Sequence, residues 1–319
     1  MQQTARAGRA PIPPYRFLTE VLKGQGQVTF MPSAVTGLFF AAALFAAGWE
    51  YGLYGLLGTA VGTATARLLG VDRGRVEAGL EGFNACLVST GCAVFLGADR
   101  ISSVLLAIGG AVVVTVVTGA LTHVLASWNL PTFTLPFCLV ASATTMAAPG
   151  FHRVWEGAAG TAALTRPATG ATSLSWTQLW HAFFADIGQI FFMPQWYVGL
   201  LFLLGIFAAS RSAGLAACLG SVVGIGTAWA LGSPADGIAQ GLMGYNAVLT
   251  AMAVYGVFIV ADRWSFGYAV VAAATATALT DAVTSFFAPS GGHTFTWPFV
   301  LTSLVFVAAV PAFPRLRRT

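Results

Sequence analysis

The sequence predicts an all-α, polytopic integral membrane protein made of two halves of opposite orientation, each with about five transmembrane helices and one re-entrant half-helix. Three observations carry this prediction. First, 57% of the 319 residues are hydrophobic and 8% charged, with a mean hydropathy of +0.78, whereas soluble domains carry roughly 25% charged residues. Second, the chain repeats itself at a fixed offset of 162 residues. Third, each half divides into one short mixed segment and five longer apolar ones. An odd number of crossings forces the second half to enter the membrane the other way round.

Three blocks anchor the repeat. Residues 132–139, T-F-T-L-P-F-C-L, return at 294–301 as T-F-T-W-P-F-V-L, with six of eight positions identical. Residues 26–32, G-Q-V-T-F-M-P, return at 188–194 as G-Q-I-F-F-M-P, and residues 79–87, G-L-E-G-F-N-A-C-L, return at 241–249 as G-L-M-G-Y-N-A-V-L. The A-D-R at 98–100 and 261–263 is displaced by 163 instead, so the repeat carries a small compensated indel.

Hydropathy places the first short segment at 15–30 and the first spans at 34–48, 51–69, 83–97, 101–126 and 134–149. Several fall below the ~20 residues that cross a bilayer unaided, so they must be extended, tilted or broken. A linker rich in Ala, Gly and Thr, residues 150–173, reads as a surface loop. The second short segment follows at 176–192, with spans at 195–209, 212–231, 245–260, 265–287 and 296–311. In outline, residues 1–150 form the first half, 151–175 the linker and 176–319 the second half of one membrane domain.

The charges give an independent test of this arrangement. With the N-terminus in the cytoplasm and both short segments re-entrant, Arg6, Arg9, Arg16, Lys23, Arg67, Arg73, Arg75, Arg211, Arg263, Arg315, Arg317 and Arg318 fall inside. Only Arg100, Arg153 and Arg166 fall outside, which follows the positive-inside rule and puts both termini in the cytoplasm. The N-terminal stretch has basic residues but no apolar core, so it does not read as a cleavable signal. The basic residues are scattered through short loops, which argues against nucleic-acid binding despite a pI near 9.1. Cys86, Cys92, Cys138 and Cys218 stand singly in apolar segments, and the four histidines are dispersed. No metal spacing, nucleophile elbow or phosphate loop is present. No metal, cofactor or enzymatic activity is therefore expected.

The repeated side chains are uncharged hydrogen-bonding groups set among flat apolar ones: Gln27 and Gln189, Asn84 and Asn246, Thr134 and Thr296, beside Phe30 and Phe192, Phe83 and Tyr245, Leu87 and Leu249. No acid repeats, since Glu81 corresponds to Met243 and Asp186 to Gly24. Such a lining suits a small, neutral, planar, polar solute, whose lost hydration the amide, hydroxyl and backbone oxygens replace, and it offers an ion nothing. Each residue also has a plainer reading. Thr134 and Thr296 stand two positions before Pro136 and Pro298, where threonine caps a helix that proline begins. The glutamines can tie a half-helix to its neighbours, and asparagine readily bonds nearby backbone.

L-P-T-F-T-L-P-F at 130–137, with the G-Q-V/G-Q-I and G-F-N/G-Y-N blocks, resembles the urea transporter family. The resemblance spans nearly the whole chain. It implies a homotrimer in the cell membrane. Each protomer would have its own pore and would pass urea passively; small amide analogues present the same hydrogen-bonding groups, and these residues do not separate them from urea. It further implies slot walls at Phe30, Phe83, Leu87, Phe192, Tyr245 and Leu249. Thr134 and Thr296 would form a middle constriction with Val28 and Ile190 nearby, and Gln27 and Gln189 would stand at ladders of oxygen atoms. The second copy departs from the signature, since His293 stands where the first has Pro131 and Tyr245 adds a hydroxyl. An ion-coupled secondary transporter of urea or a short amide is the alternative, because inverted repeats with broken helices serve there too.

Overall fold

A computed structural model describes residues 14–151, 154 and 169–319. Most of the expected surface loop at 150–173 lies outside these residues, as do Arg6, Arg9, Arg153 and Arg166. The described chain is α-helical. In the first half the helices are α1 (Pro14–Gln27), α2 (Ala34–Ala47), α3 (Trp49–Leu69), α4 (Arg73–Glu77), α5 (Phe83–Leu96), α6 (Ile101–Ala126) and α7 (Leu135–Ala147). In the second half they are α8 (Trp176–Gly188), α9 (Trp196–Ala209), α10 (Arg211–Ala230), α11 (Ala235–Ala239), α12 (Tyr245–Met252), α13 (Arg263–Phe287) and α14 (Trp297–Ala309). The pairs α2/α9, α4/α11 and α7/α14 begin and end 162 positions apart, so the duplication governs helix boundaries as well as sequence.

Local chemistry sets many of these ends. Ser33 and Ser210 accept hydrogen bonds from Thr36 N and Ala213 N and start α2 and α10. Asp262 starts α13 with a capping box to Ser265. Pro136 and Pro298 sit in the first turns of α7 and α14, where a missing N–H costs nothing.

One boundary differs from expectation. The span expected at 245–260 stops at Met252, because Tyr255 (φ −118°, ψ 93°) and Gly256 (φ +98°) leave helical geometry. Glycine tolerates the positive φ that a side chain resists. The chain beyond the break turns into an isolated antiparallel bridge between Ile259 and Arg318.

Among the described residues, three helical stretches, Ile101–Ala126, Arg211–Ala230 and Arg263–Ser290, are long and apolar enough to cross a membrane. Trp176–Phe191 and Trp196–Ala209 form a pair bent by 74°, and five shorter apolar helices accompany them. Apolar side chains such as Leu105, Val113 and Val116 cover the outer face of α6, the pattern of a surface facing lipid.

The halves meet through reciprocal contacts. Phe40 packs on Phe202, its own repeat counterpart, at 4.8 Å, and both are almost fully buried. Phe30 touches Phe299 at 6.1 Å, and the counterpart pair Phe192 and Phe137 meet at 5.9 Å. Close helix crossings within each half depend on glycine. A Cβ at Gly37 would lie 1.8 Å from the Leu22 carbonyl oxygen, and one at the matching Gly199 would lie 1.8 Å from that of Phe184. These neighbours are backbone and cannot swing aside.

Gly199→Ala should therefore cost at least about 3 kcal/mol, the upper end of ordinary overpacking, read as a lowered thermal midpoint in detergent. Gly226→Ala, in α10 with open space around it, should be neutral or slightly stabilising. Equal midpoints for the two variants would refute the assigned helix crossing.

Candidate functional site

The site is built where α7 and α14 begin. Each helix needs acceptors for the free N–H groups of its first turn. Thr134 and Thr296 occupy the capping positions, yet neither side chain makes a capping bond. Asn84 on α5 accepts instead from Phe137 N at 3.3 Å, and Asn246 on α12 accepts from Phe299 N at 3.2 Å. The asparagines thus bond backbone, but across 53 residues rather than locally. Freed from capping, the two threonine hydroxyls meet each other at 2.6 Å. The Cys138 thiol lies 3.2 Å from the Thr296 hydroxyl. All three side chains are buried.

Two aromatic groups adjoin the threonine pair along the chain, one through Phe133 next to Thr134 and the other through Phe295 next to Thr296, and each is drawn from both halves. The first comprises Phe30, Phe133, Phe258 and Phe299, with ring centroids 5.1 to 6.4 Å apart along its contacts. The second comprises Phe192, Phe295, Phe95 and Phe137, at 5.3 to 6.2 Å. Most contacts are edge-on, which the ring quadrupole favours. Four of these phenylalanines carry positive φ: Phe30 at 63°, Phe192 at 65°, Phe133 at 47° and Phe295 at 41°. Such backbone is unusual for a bulky side chain.

For Phe30 the cause is a helix ending. Met31 N bonds Gly26 O at 3.0 Å and Phe30 N bonds Gln27 O at 3.0 Å; Met193 N to Gly188 O at 3.1 Å and Phe192 N to Gln189 O at 3.0 Å repeat the motif. This is a Schellman ending with phenylalanine where glycine is usual. The strain, about 1–3 kcal/mol per residue, aims an aromatic ring into the site.

Gln27 Nε2 donates to Ala78 O at 2.9 Å, and Gln189 Nε2 to Gln240 O at 2.8 Å. Both glutamines therefore tie their helix ends to the loops before α5 and α12. A cavity of about 650 Å³ lies beside the first aromatic group, lined by Gln27, Phe30, Phe83, Thr132, Phe133 and Phe258 among others. Arg75 also lines it, held by buried Glu81 at 2.7 Å. At the second group, His293 packs against Phe95 at 4.1 Å and Phe295 at 5.5 Å. Burial pushes its imidazole below the ordinary pKa and favours the neutral form.

Val28, Ile190, Leu87 and Leu249 are almost wholly buried in the main apolar core. The Tyr245 hydroxyl is taken up by a hydrogen bond to Phe295 O and is not a free group in a slot. Asp186, fully buried, accepts from Ser221 Oγ at 2.8 Å. Among the described residues, no three His, Cys, Asp or Glu side chains gather to hold a metal ion. Sequence reasoning missed Phe133, Phe295, Phe137 and Phe299 although they lie within the repeated blocks. It missed Phe95 and Phe258 because the indel shifts that pair to an offset of 163.

Comparison with known proteins agrees with the repeated blocks. The model of the family described as "Urea transporter" matches residues 18–311. "Urea transporter 1" of Ovis aries is 32% identical over 309 residues, covering 94% of this chain and 79% of that protein. The Capra hircus protein of the same name gives the same figures, and that of Rattus norvegicus is 30% identical over 311 residues, 95% of this chain and 79% of its own. With a family match across nearly its whole length and relatives of this similarity, the chain belongs to the urea transporter family.

Proposed function

We propose that the protein is a passive, urea-selective channel whose pathway runs past the first aromatic group, the threonine pair and the second aromatic group. The observation that carries the reading is the pair of buried hydroxyls with aromatic walls on either side and no charged side chain among them. Urea is flat, neutral and rich in hydrogen-bonding groups. A slot between rings accommodates its plane. The hydroxyls then exchange their mutual bond for bonds to the solute at the point of greatest dehydration, where an unmet polar group costs about 1–3 kcal/mol. The cavity beside Gln27 serves as one vestibule. Its glutamine nitrogen is committed to Ala78 O, so the carboxamide oxygen is the group offered to a solute. The names of the relatives supply the substrate.

The same reading includes an inverted arrangement of the two halves in the bilayer. Reciprocal contacts between repeat counterparts support it, because a two-fold relation produces such pairings. Cytoplasmic termini follow from the distribution of arginines and a homotrimer from the family resemblance, and small amides present the same hydrogen-bonding groups as urea. A coupled carrier is the second reading, favoured by one observation. The buried Asp186 carboxylate has one oxygen without a partner among the described residues, and intramembrane acids mark ion pathways.

Stopped-flow light scattering on proteoliposomes separates these. Urea flux well above empty vesicles and indifferent to imposed sodium or proton gradients is expected; accumulation that follows either gradient would establish the carrier. The walls can be tested in the same vesicles. Phe95→Ala, which opens the second aromatic group, should raise the permeability of N-methylurea relative to urea several-fold, since an added methyl is worth roughly 1–3 kcal/mol in an apolar pocket. An unchanged ratio would remove Phe95 from the pathway.

A further inference from the structure

We infer that the two threonines of the pair have different roles, and that Cys138 is the positioning residue that divides them: Thr134 presents the hydroxyl that meets the solute, and Thr296 supports it. This rests on the reading of the pair as the solute's contact point. The pair looks symmetric in sequence, because both residues sit in the same repeated block. Its surroundings are not symmetric. Thr296 Oγ1 has two partners, Thr134 Oγ1 at 2.6 Å and Cys138 Sγ at 3.2 Å. Position 300, the counterpart of Cys138, is valine, which offers no hydrogen bond to Thr134.

A hydroxyl has one proton and two lone pairs, so it supports three hydrogen bonds. Within hydrogen-bond distance Thr296 makes two of them inside the protein and Thr134 makes one, the Cys138 thiol reaching Thr134 more weakly than Thr296. This count holds whichever way the protons point in the chain Cys138–Thr296–Thr134. A thiol is a weak partner, but in an enclosed site hydrogen bonds in series strengthen one another. A solute arriving at the pair therefore finds the larger unspent capacity on Thr134, oriented by the two groups behind it. The duplication supplied two equal hydroxyls, and the cysteine on one side makes them unequal.

The test uses the full chain in proteoliposomes, with urea permeability corrected for inserted protein. In the native background, Thr134→Val should lower permeability about tenfold, the size of one well-placed hydrogen bond, and Thr296→Val only about two- to threefold, as an indirect effect through its neighbour. With Cys138→Val, which copies the valine that the second half carries, the two threonine variants should become equal. In the double exchange Cys138→Val with Val300→Cys, their order should reverse. Cys138→Ser keeps a hydrogen-bonding group and should keep the native order, whereas a packing role alone would let serine and valine act alike. Equal losses in the native background, or an order that ignores position 138, would overturn the inference while leaving the pair in the pathway. Native rates in both threonine variants would instead remove the pair from the pathway, a different and distinguishable failure. Should the double exchange not insert, the comparison of serine and valine at position 138 decides the matter.

Discussion

The contact between the Thr134 and Thr296 hydroxyls depends on a division of labour at two helix starts. A threonine before a proline-initiated helix ordinarily spends its oxygen on the first turn. Here Asn84 and Asn246 reach from neighbouring helices to satisfy Phe137 N and Phe299 N. Each asparagine thus fixes the start of a short helix and releases a hydroxyl. Since α7 and α14 come from opposite halves, the released hydroxyls can meet only if the halves dock correctly. The same docking interleaves four phenylalanines from each half into two mixed groups.

Glycine packs the helices within each half, and strain shapes the site where the halves dock. Gly37 and Gly199 let backbones approach until only a hydrogen atom fits between them, the means by which helices pack tightly where lipid offers no hydrophobic drive. Phe30 and Phe192 bear the opposite condition, a bulky residue in backbone suited to glycine. The fold holds them there at an energetic cost because the helix ending directs their rings inward. Stability and site geometry oppose each other at these positions.

The two ends of the site are not copies. The cavity beside the first group carries the Arg75–Glu81 pair, whereas the second group meets the His293 imidazole, whose pKa burial lowers. Asp186 fills the space between α8 and α10 through Ser221, where the first half has Gly24 against Thr59. Cys138 faces the threonine pair from one side only. A duplicated scaffold has thus kept its central contact while its periphery became asymmetric.

The sequence by itself determined the membrane character, the duplication and most helix limits, because composition, hydropathy and repeat spacing are read directly along a chain, and its repeated motifs carried the resemblance to the family. It also singled out the threonines, glutamines and Phe30, since repeated polar positions stand out against an apolar background. It did not reveal that Asn84 and Asn246 cap helices 53 residues away, or that Tyr245 spends its hydroxyl on a carbonyl. The break at Gly256 was hidden within an apolar run that reads as one span. Only the tertiary structure decided which groups meet, because a hydrogen-bond partner or an aromatic neighbour across the two halves is fixed by how they dock and by the direction of each side chain, and neither is written in the spacing of residues along one helix.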